Sequence, residues 1–318
     1  MPGWRIKQPT TVENARGMFR LAETCAELGV RPTYLCTYPM VTDPFAAGIL
    51  RELSEAGGCE IGTHLHPWNT PPFEGLPGRD VDEQNTNYYP FELGPERFRA
   101  KLERLHDAIG ELAGRAPTSY RAGRFGIDAA TLKELLPLGY EVDSSITPLA
   151  NHSHDGGGPD FRMAPTFPYR PNTVDVRRRG DLEIVEIPVS VGLTRTVPRV
   201  LRRAFTYLPS QLKLRGLLSR DYLGIIDFAW LYPARFDMDL MVRLTKTLRA
   251  EGAPILNVFL HSNEFTAGCS GREEPDAHEV CLERTRAILE YCLTEYEATP
   301  MTLTEAARQV KPSLGLTG

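Results

Sequence analysis

The sequence predicts an α/β fold in which short strands lie parallel in one sheet and helices cross over between them. Three observations carry that expectation. Apolar runs of strand length alternate with longer segments of helical periodicity, the connections between them are short, and strand after strand ends on polar or ionisable residues.

Taken in order, Val12, Ala15, Phe19, Ala22 and Ala26 recur three and four apart, which predicts one buried helical face. Thr10 with Glu13 has the capping-box pattern, and Gly29 the pattern of a C-terminal stop. Residues 31–38 read as a strand. Asp43 caps a second helix through Phe45, Ile49, Leu50 and Leu53, which Gly57-Gly58 ends. A strand from Cys59 follows, broken at Gly62, and it delivers His64 and His66 to its end. Residues 69–94 form a long loop rich in Pro, Asn, Gly and aromatic residues, of a length that serves function. A helix from Pro95 to about Leu112 carries Phe98, Leu102, Leu105 and Ile109 at helical spacing. It leads to a strand at Ser119-Tyr120, then Arg121 to Gly126, a short helix capped by Asp128, and a strand ending at Asp143. Leu182 to Val189 is an apolar strand with acidic alternation, and a helix from Met238 to Ala250 feeds a buried-type strand, Pro254 to Leu260, that ends at His261. A long helix from about Asp276 to Tyr296 and a strand-turn near Met301 to Thr304 close the chain. No repeat or linker-like composition divides it, so residues 1–318 are read as one domain.

Bulk composition excludes several classes. A net charge of −5 argues against general affinity for nucleic acid. Six cysteines without a Cys-x-x-Cys pair indicate neither a zinc ribbon nor a disulfide scaffold, and reduced thiols are expected. Residues 1–9 lack the apolar core of a signal peptide and no later window reads as a membrane span, so a cytoplasmic location is expected. Between Arg195 and Arg220 the chain turns basic among aromatic and leucine residues; this is either a solvated helical face or a peripheral contact with an anionic substrate or membrane surface.

His64 and His66 carry the chemistry. In extended chain, residues two apart point the same way, so the two imidazoles can meet at a common point, as metal ligands do. The plainer reading is hydrogen bonding within a loop. Arg121, Asp143 and His261 stand at the ends of other strands, and in barrel-like α/β folds such ends converge on one face. Taken singly, Arg121 pairs equally well with a surface carboxylate, Asp143 with a turn, and His261 with core polar groups. A second His-x-His, His152 and His154, lies in a Gly-rich segment.

Four motifs in this order resemble those of the polysaccharide deacetylase family, also called the NodB-homology or carbohydrate esterase family 4 group. They are Gly62-Thr63-His64-Leu65-His66, Arg121-Ala122-Gly123-Arg124-Phe125-Gly126, Val142-Asp143-Ser144-Ser145 and Phe259-Leu260-His261-Ser262. The resemblance spans about residues 10–310, with 195–235 an insertion or helical excursion, and the chain looks most like a divergent intracellular branch. It implies an irregular, incompletely closed (β/α) barrel. It further implies that His64 and His66 bind a divalent metal, zinc being the ion expected. Arg121 would orient a catalytic carboxylate, Asp143 brace the site and His261 protonate a leaving amine. Trp68, Arg124, Tyr88 and Tyr89 are the substrate contacts expected, the aromatic residues as platforms for sugar faces.

The match departs from the family in two places. The family's first motif is a strand with an aspartate pair, one the general base and the other the third metal ligand, yet no acidic residue precedes Glu13. The expectation is therefore a barrel lacking its first strand, through an upstream start or through loss of the chemistry, with an exposed sheet edge beside the strand at 31–38. The common family pattern also separates its histidines by three residues, where this chain has one, and position 68 is Trp68. Asp143, Glu264 and the His152/His154 segment are the candidates for a third ligand. The activity implied is metal-dependent hydrolysis of C–N bonds, chiefly N-deacetylation of an N-acetylated sugar in a cytoplasmic or lipid-linked glycan pathway. The alternatives are a glycan-binding relative without activity and an amidohydrolase of a small C–N substrate.

Overall fold

The computed structural model describes residues 12–73, 89–198, 200, 207, 227–269 and 276–316. Five parallel strands form the main sheet in the order in which they occur: β1 (Thr33–Cys36), β2 (Glu60–Leu65), β3 (Ser119–Ala122), β4 (Val142–Asp143) and β5 (Val185–Glu186). Sequential order with right-handed crossovers keeps the helices on one side of the sheet, which is the winding of a barrel rather than of a doubly wound sheet. A two-stranded antiparallel ribbon, β6 (Val191–Leu193) and β7 (Phe228–Trp230), extends this wall. Among the described residues the strands do not close into a barrel.

The helices are α1 (Arg16–Glu27), α2 (Tyr38–Thr42), α3 (Pro44–Glu55), α4 (Pro95–Ala113), α5 (Ala129–Leu135), α6 (Met238–Ala250), α7 (Ala277–Glu295) and α8 (Leu303–Val310). Phe98, Leu102, Leu105 and Ile109 of α4 are fully buried, as their spacing predicts. Asp43 accepts from the N–H groups of Phe45 and Ala46, and Asp128 from that of Thr131, so both caps form. Short α2 between β1 and α3 has no counterpart in the sequence reading.

Several expectations need correction. Thr10 lies outside the described residues, and α1 is entered through a 3₁₀ turn at Glu13–Ala15. That turn advances about 120° per residue rather than 100°, which shifts the helical phase. Met18, Leu21 and Cys25 are therefore buried where Phe19, Ala22 and Ala26 were expected, and Ala26 is exposed. Gly62 does not break β2. It sits inside the strand because a Cβ there would stand 2.1 Å from Ser119 Oγ and 2.8 Å from Leu35 Cδ2, on the neighbouring strands.

The Pro254–Leu260 segment is not a strand either. Its backbone is held by isolated bonds: Asn257 O accepts from Ser190 N at 3.2 Å, Asn257 N donates to Ser190 Oγ at 2.8 Å and Phe259 N to Leu231 O at 2.9 Å. Its other side lines a cavity of about 1310 Å³ whose opposite wall is β1. Among the described residues no strand precedes β1, so β1 is an edge of the sheet.

The C-terminal helix α8 is tied beneath the sheet by charge. Glu141, just before β4, pairs with Arg308 at 2.5 Å and Lys311 at 2.6 Å. The Arg308 hydrogen bond, followed by Lys311, holds its carboxyl below the usual range. A lowered folded-state pKa stabilises above the unfolded value of about 4.3 and is lost as pH falls through the folded value. Glu141→Gln is expected to lower the unfolding free energy by about 0.5–1 kcal/mol at pH 7, since Arg308 is largely exposed. Denaturant melts should show that difference shrinking as pH falls below about 4 and through the lowered folded value; a difference that stays constant with pH would rule out the ion pairs as its source.

Most of residues 195–220, and so the basic segment, lies outside the described residues. None of the described helices is long and apolar enough to cross a membrane.

Candidate metal centre and active site

Strand β2 carries His64 to the C-terminal edge of the sheet, and His66 follows one residue beyond the strand. His64 Nδ1 donates to Arg121 O at 2.8 Å on the adjacent strand. That bond sets the tautomer and leaves His64 Nε2 with a lone pair. His66 Nε2 stands 3.0 Å from this nitrogen. Two lone pairs that close need a proton or a cation between them. Two metal–nitrogen bonds of about 2.0–2.1 Å meeting at the tetrahedral angle place their nitrogens about 3.3 Å apart. The pair is thus within a few tenths of an ångström of chelating geometry, and the donor set suits zinc.

Electrostatics agree. Burial lowers the pKa of His64 to about 4, outweighing its bond to Arg121 O, with the Arg121 and His261 charges adding to the fall. His66 lies well below its ordinary value, through burial first and then the neighbouring His64, His261 and Arg124 charges. Both rings are neutral at pH 7, the form that binds metal. The ring of Trp68 stacks on His66 at 4.4 Å between centroids. Gly123 lies against the same ring from β3's end: a Cβ there would be 2.5 Å from His66 Cδ2 and 2.5 Å from Leu65 O. Gly123→Ala is expected to displace the imidazole and weaken zinc binding roughly 10- to 100-fold, as loss of an outer-shell support does. Calorimetric titration reads this directly, and unchanged affinity would remove Gly123 from the site.

His261 opens the 3₁₀ turn at Ser262–Phe265. It is half exposed, which contradicts a core histidine. Nδ1 lies 3.1 Å from Glu264 Oε1 and 3.2 Å from Tyr232 Oη, while its backbone N–H donates to Glu264 Oε2 at 2.9 Å. Tyr232 Oη also donates to Glu264. The carboxylate orients the ring through Nδ1, which leaves Nε2 outside that contact. Asn14 Nδ2 donates to Ser262 Oγ at 2.5 Å, and Gly17 of α1 allows close contact with Phe265, so α1 fixes this turn. His64, His66 and His261 line one cavity with Arg121, Arg124 and Trp68.

Arg121 is buried, which contradicts a surface pair. Its Nε donates to Ser144 O at 2.7 Å and Nη2 to Ser144 Oγ at 2.8 Å, and the guanidinium lies 5.1 Å from the Phe259 ring centre. Burial lowers its pKa to about 10, so it stays charged. Asp143 is wholly buried and accepts from Ser145 Oγ at 2.5 Å, which removes it as a third ligand.

The expected substrate contacts fare differently. Trp68 is 5% exposed and Tyr89 0% exposed, so neither ring is an open sugar platform. Trp68 is used against His66; Tyr89 stacks on Phe91 and donates to Asp155 O. Tyr88 lies outside the described residues. Arg124 and Phe125 take left-handed backbone angles, φ 55° and 60°, which costs energy at non-glycine residues. The turn sends Arg124 to Asp155 at 2.5 Å and Phe125 against His152. His152 Nε2 contacts Thr147 Oγ1 at 2.8 Å and His154 is exposed, so the second His-x-His does not present a joint site. Among the described residues no group of three His, Cys, Asp or Glu side chains is placed to hold a metal. Tyr232, which bonds His261 and Glu264, and Asn257, whose Nδ2 donates to Ser144 Oγ at 2.9 Å, escaped sequence reasoning because each acts through a partner distant in the chain.

No family model and no curated protein sequence matches the chain. Among solved structures, it overlays on one described as a polysaccharide deacetylase from Mycobacterium smegmatis with a TM-score of 0.51 and 19% identity, over 95% of this chain and 78% of that one. The overlay on the Puue allantoinase has a TM-score of 0.49 and 15% identity, over 96% and 75% of the two chains. That on a family 4 acetyl xylan esterase from Clostridium thermocellum, in complex with a cobalt ion, has a TM-score of 0.29 and 17% identity, over 45% and 56%. The last two are too loose to carry an argument. The first bears on fold alone, and with the open parallel sheet it gives this chain a polysaccharide deacetylase-like α/β architecture.

Proposed function

We propose that this chain is a metal-dependent hydrolase of C–N bonds that removes the acetyl group from an N-acetylated sugar of a cytoplasmic or lipid-linked glycan. One observation carries the reading: the 3.0 Å approach of His64 Nε2 and His66 Nε2, with His64 Nδ1 committed to Arg121 O. His64 and His66 would hold the cation, zinc by the chemistry of the donors. When bound, such an ion supplies Lewis acidity toward the amide carbonyl and, by lowering the pKa of water to about 7, a nucleophile at neutral pH. His261, oriented through Nδ1 by Glu264, hands a proton from Nε2 to the departing amine nitrogen. Arg121, fixed on Ser144, keeps a positive charge beside the cavity.

Elemental analysis together with acetate release from N-acetylglucosamine oligosaccharides tests this. One zinc per chain and released acetate are expected; bound zinc without acetate would sink the deacetylase reading and turn attention to smaller C–N substrates. A second reading, a glycan-binding protein without turnover, is favoured by the lack of a three-residue metal cluster among the described residues. Oligosaccharide binding with no zinc uptake would establish it.

A further inference from the structure

Two carboxyl groups face each other in the sheet. Asp143 of β4 and Glu186 of β5 are register partners on adjacent parallel strands, which lie about 4.8 Å apart. Both are wholly buried. Each is half satisfied: Asp143 Oδ1 accepts from Ser145 Oγ at 2.5 Å, and Glu186 Oε1 from Ile146 N at 3.1 Å. Asp143 Oδ2 and Glu186 Oε2 are buried with no hydrogen-bond donor. Two ionised carboxylates cannot stand side by side out of water, whereas one proton between them satisfies both orphaned oxygens.

We propose that Glu186 is a protonated positioning residue: its acid O–H donates to Asp143 Oδ2, and the pair keeps a single negative charge that balances buried Arg121. The assignment of the proton follows from the surroundings. Burial raises the Asp143 carboxyl too, but its bonds with Glu186 and Ser145 and the Arg121 charge oppose that rise, whereas burial and then the Asp143 charge both push Glu186 well above the usual carboxylate range. The other titratable groups facing the pair are Tyr120 of β3 and Tyr169, whose backbone is bridged to Glu186. Burial raises both phenols, so they stay neutral; Arg121 is the cation that acts on both carboxyl groups, while Arg179 lies over the Tyr169 ring.

The pair reaches the candidate metal centre through two short routes. Asp143 orients Ser145 Oγ, which accepts from Ala122 N at 2.8 Å and so fixes the end of β3. Arg121, on that strand end, is clamped to Ser144 and offers its carbonyl to His64 Nδ1. Glu186 thus sets the aim of His64 without touching the cavity. This second half rests on the metal reading above; the shared proton does not.

The test uses the full chain. Infrared spectra with carbon-13 labelled glutamate side chains should show a protonated carboxyl band at pH 7 that disappears in Glu186→Gln. The amide of that variant can still donate to Asp143, so its zinc affinity should stay within about threefold of the parent, whereas Glu186→Leu should lose tenfold or more. Absence of the band in the parent protein, or equal losses in the two variants, would overturn the proposal. Should Glu186→Leu fail to fold, the band and the glutamine variant still decide it. A band present in a chain that takes up no zinc would overturn the metal reading and the link to His64, and would support the shared proton alone.

Discussion

His64→Ala and His66→Ala are each expected to abolish stoichiometric zinc binding. The two Nε2 atoms approach within 3.0 Å, and each ring is held from behind, His64 by Arg121 O and His66 by Trp68 and Gly123. Loss of either leaves one imidazole, so the fall in affinity should exceed the roughly 10- to 100-fold cost of losing an outer-shell partner. A readout independent of turnover is thermal or denaturant stability. Zinc at about 100 times its Kd should stabilise the parent chain by about 2.7 kcal/mol and leave either alanine variant unmoved. Full zinc content in both variants would place the metal elsewhere.

His261→Ala should separate chemistry from metal binding. The ring is half exposed and lines the cavity, and Glu264 holds its Nδ1. A positioned general acid contributes about 10²–10⁴ in rate, so turnover should fall by that factor while zinc content stays at the parent level. Glu264→Gln leaves the ring in place but weakens the contact that orients it, and is expected to fall between the two. Zinc lost from His261→Ala would instead make His261 a ligand, and unchanged turnover would remove it from the reaction.

Much of the site was legible because it depends on spacing within a few residues. His64 and His66 lie two apart in extended chain, and that periodicity alone turns their rings to one side. Asp43 and Asp128 announced their helices for a similar reason, since a cap bonds to N–H groups two or three residues on. Trp68 and Tyr89 misled because an aromatic residue in a polar loop reads the same whether its ring is open or covered. His66 covers one and Phe91 stacks on the other. The apolar run at 254–260 likewise has strand composition, but a strand exists only where a neighbour offers a ladder, and β1 stands across a cavity from it.

By itself the sequence determined the alternation of helices and parallel strands from α1 to β4, apart from short α2, the caps at Asp43 and Asp128, and the delivery of His64 and His66 to a strand end. These follow from local periodicity and from the winding rules of parallel sheets. Only the tertiary structure decided that Arg121 serves Ser144, that Trp68 backs His66, and that Asp143 meets Glu186. Those contacts depend on strand register and burial, which bring together residues that no spacing along the chain relates.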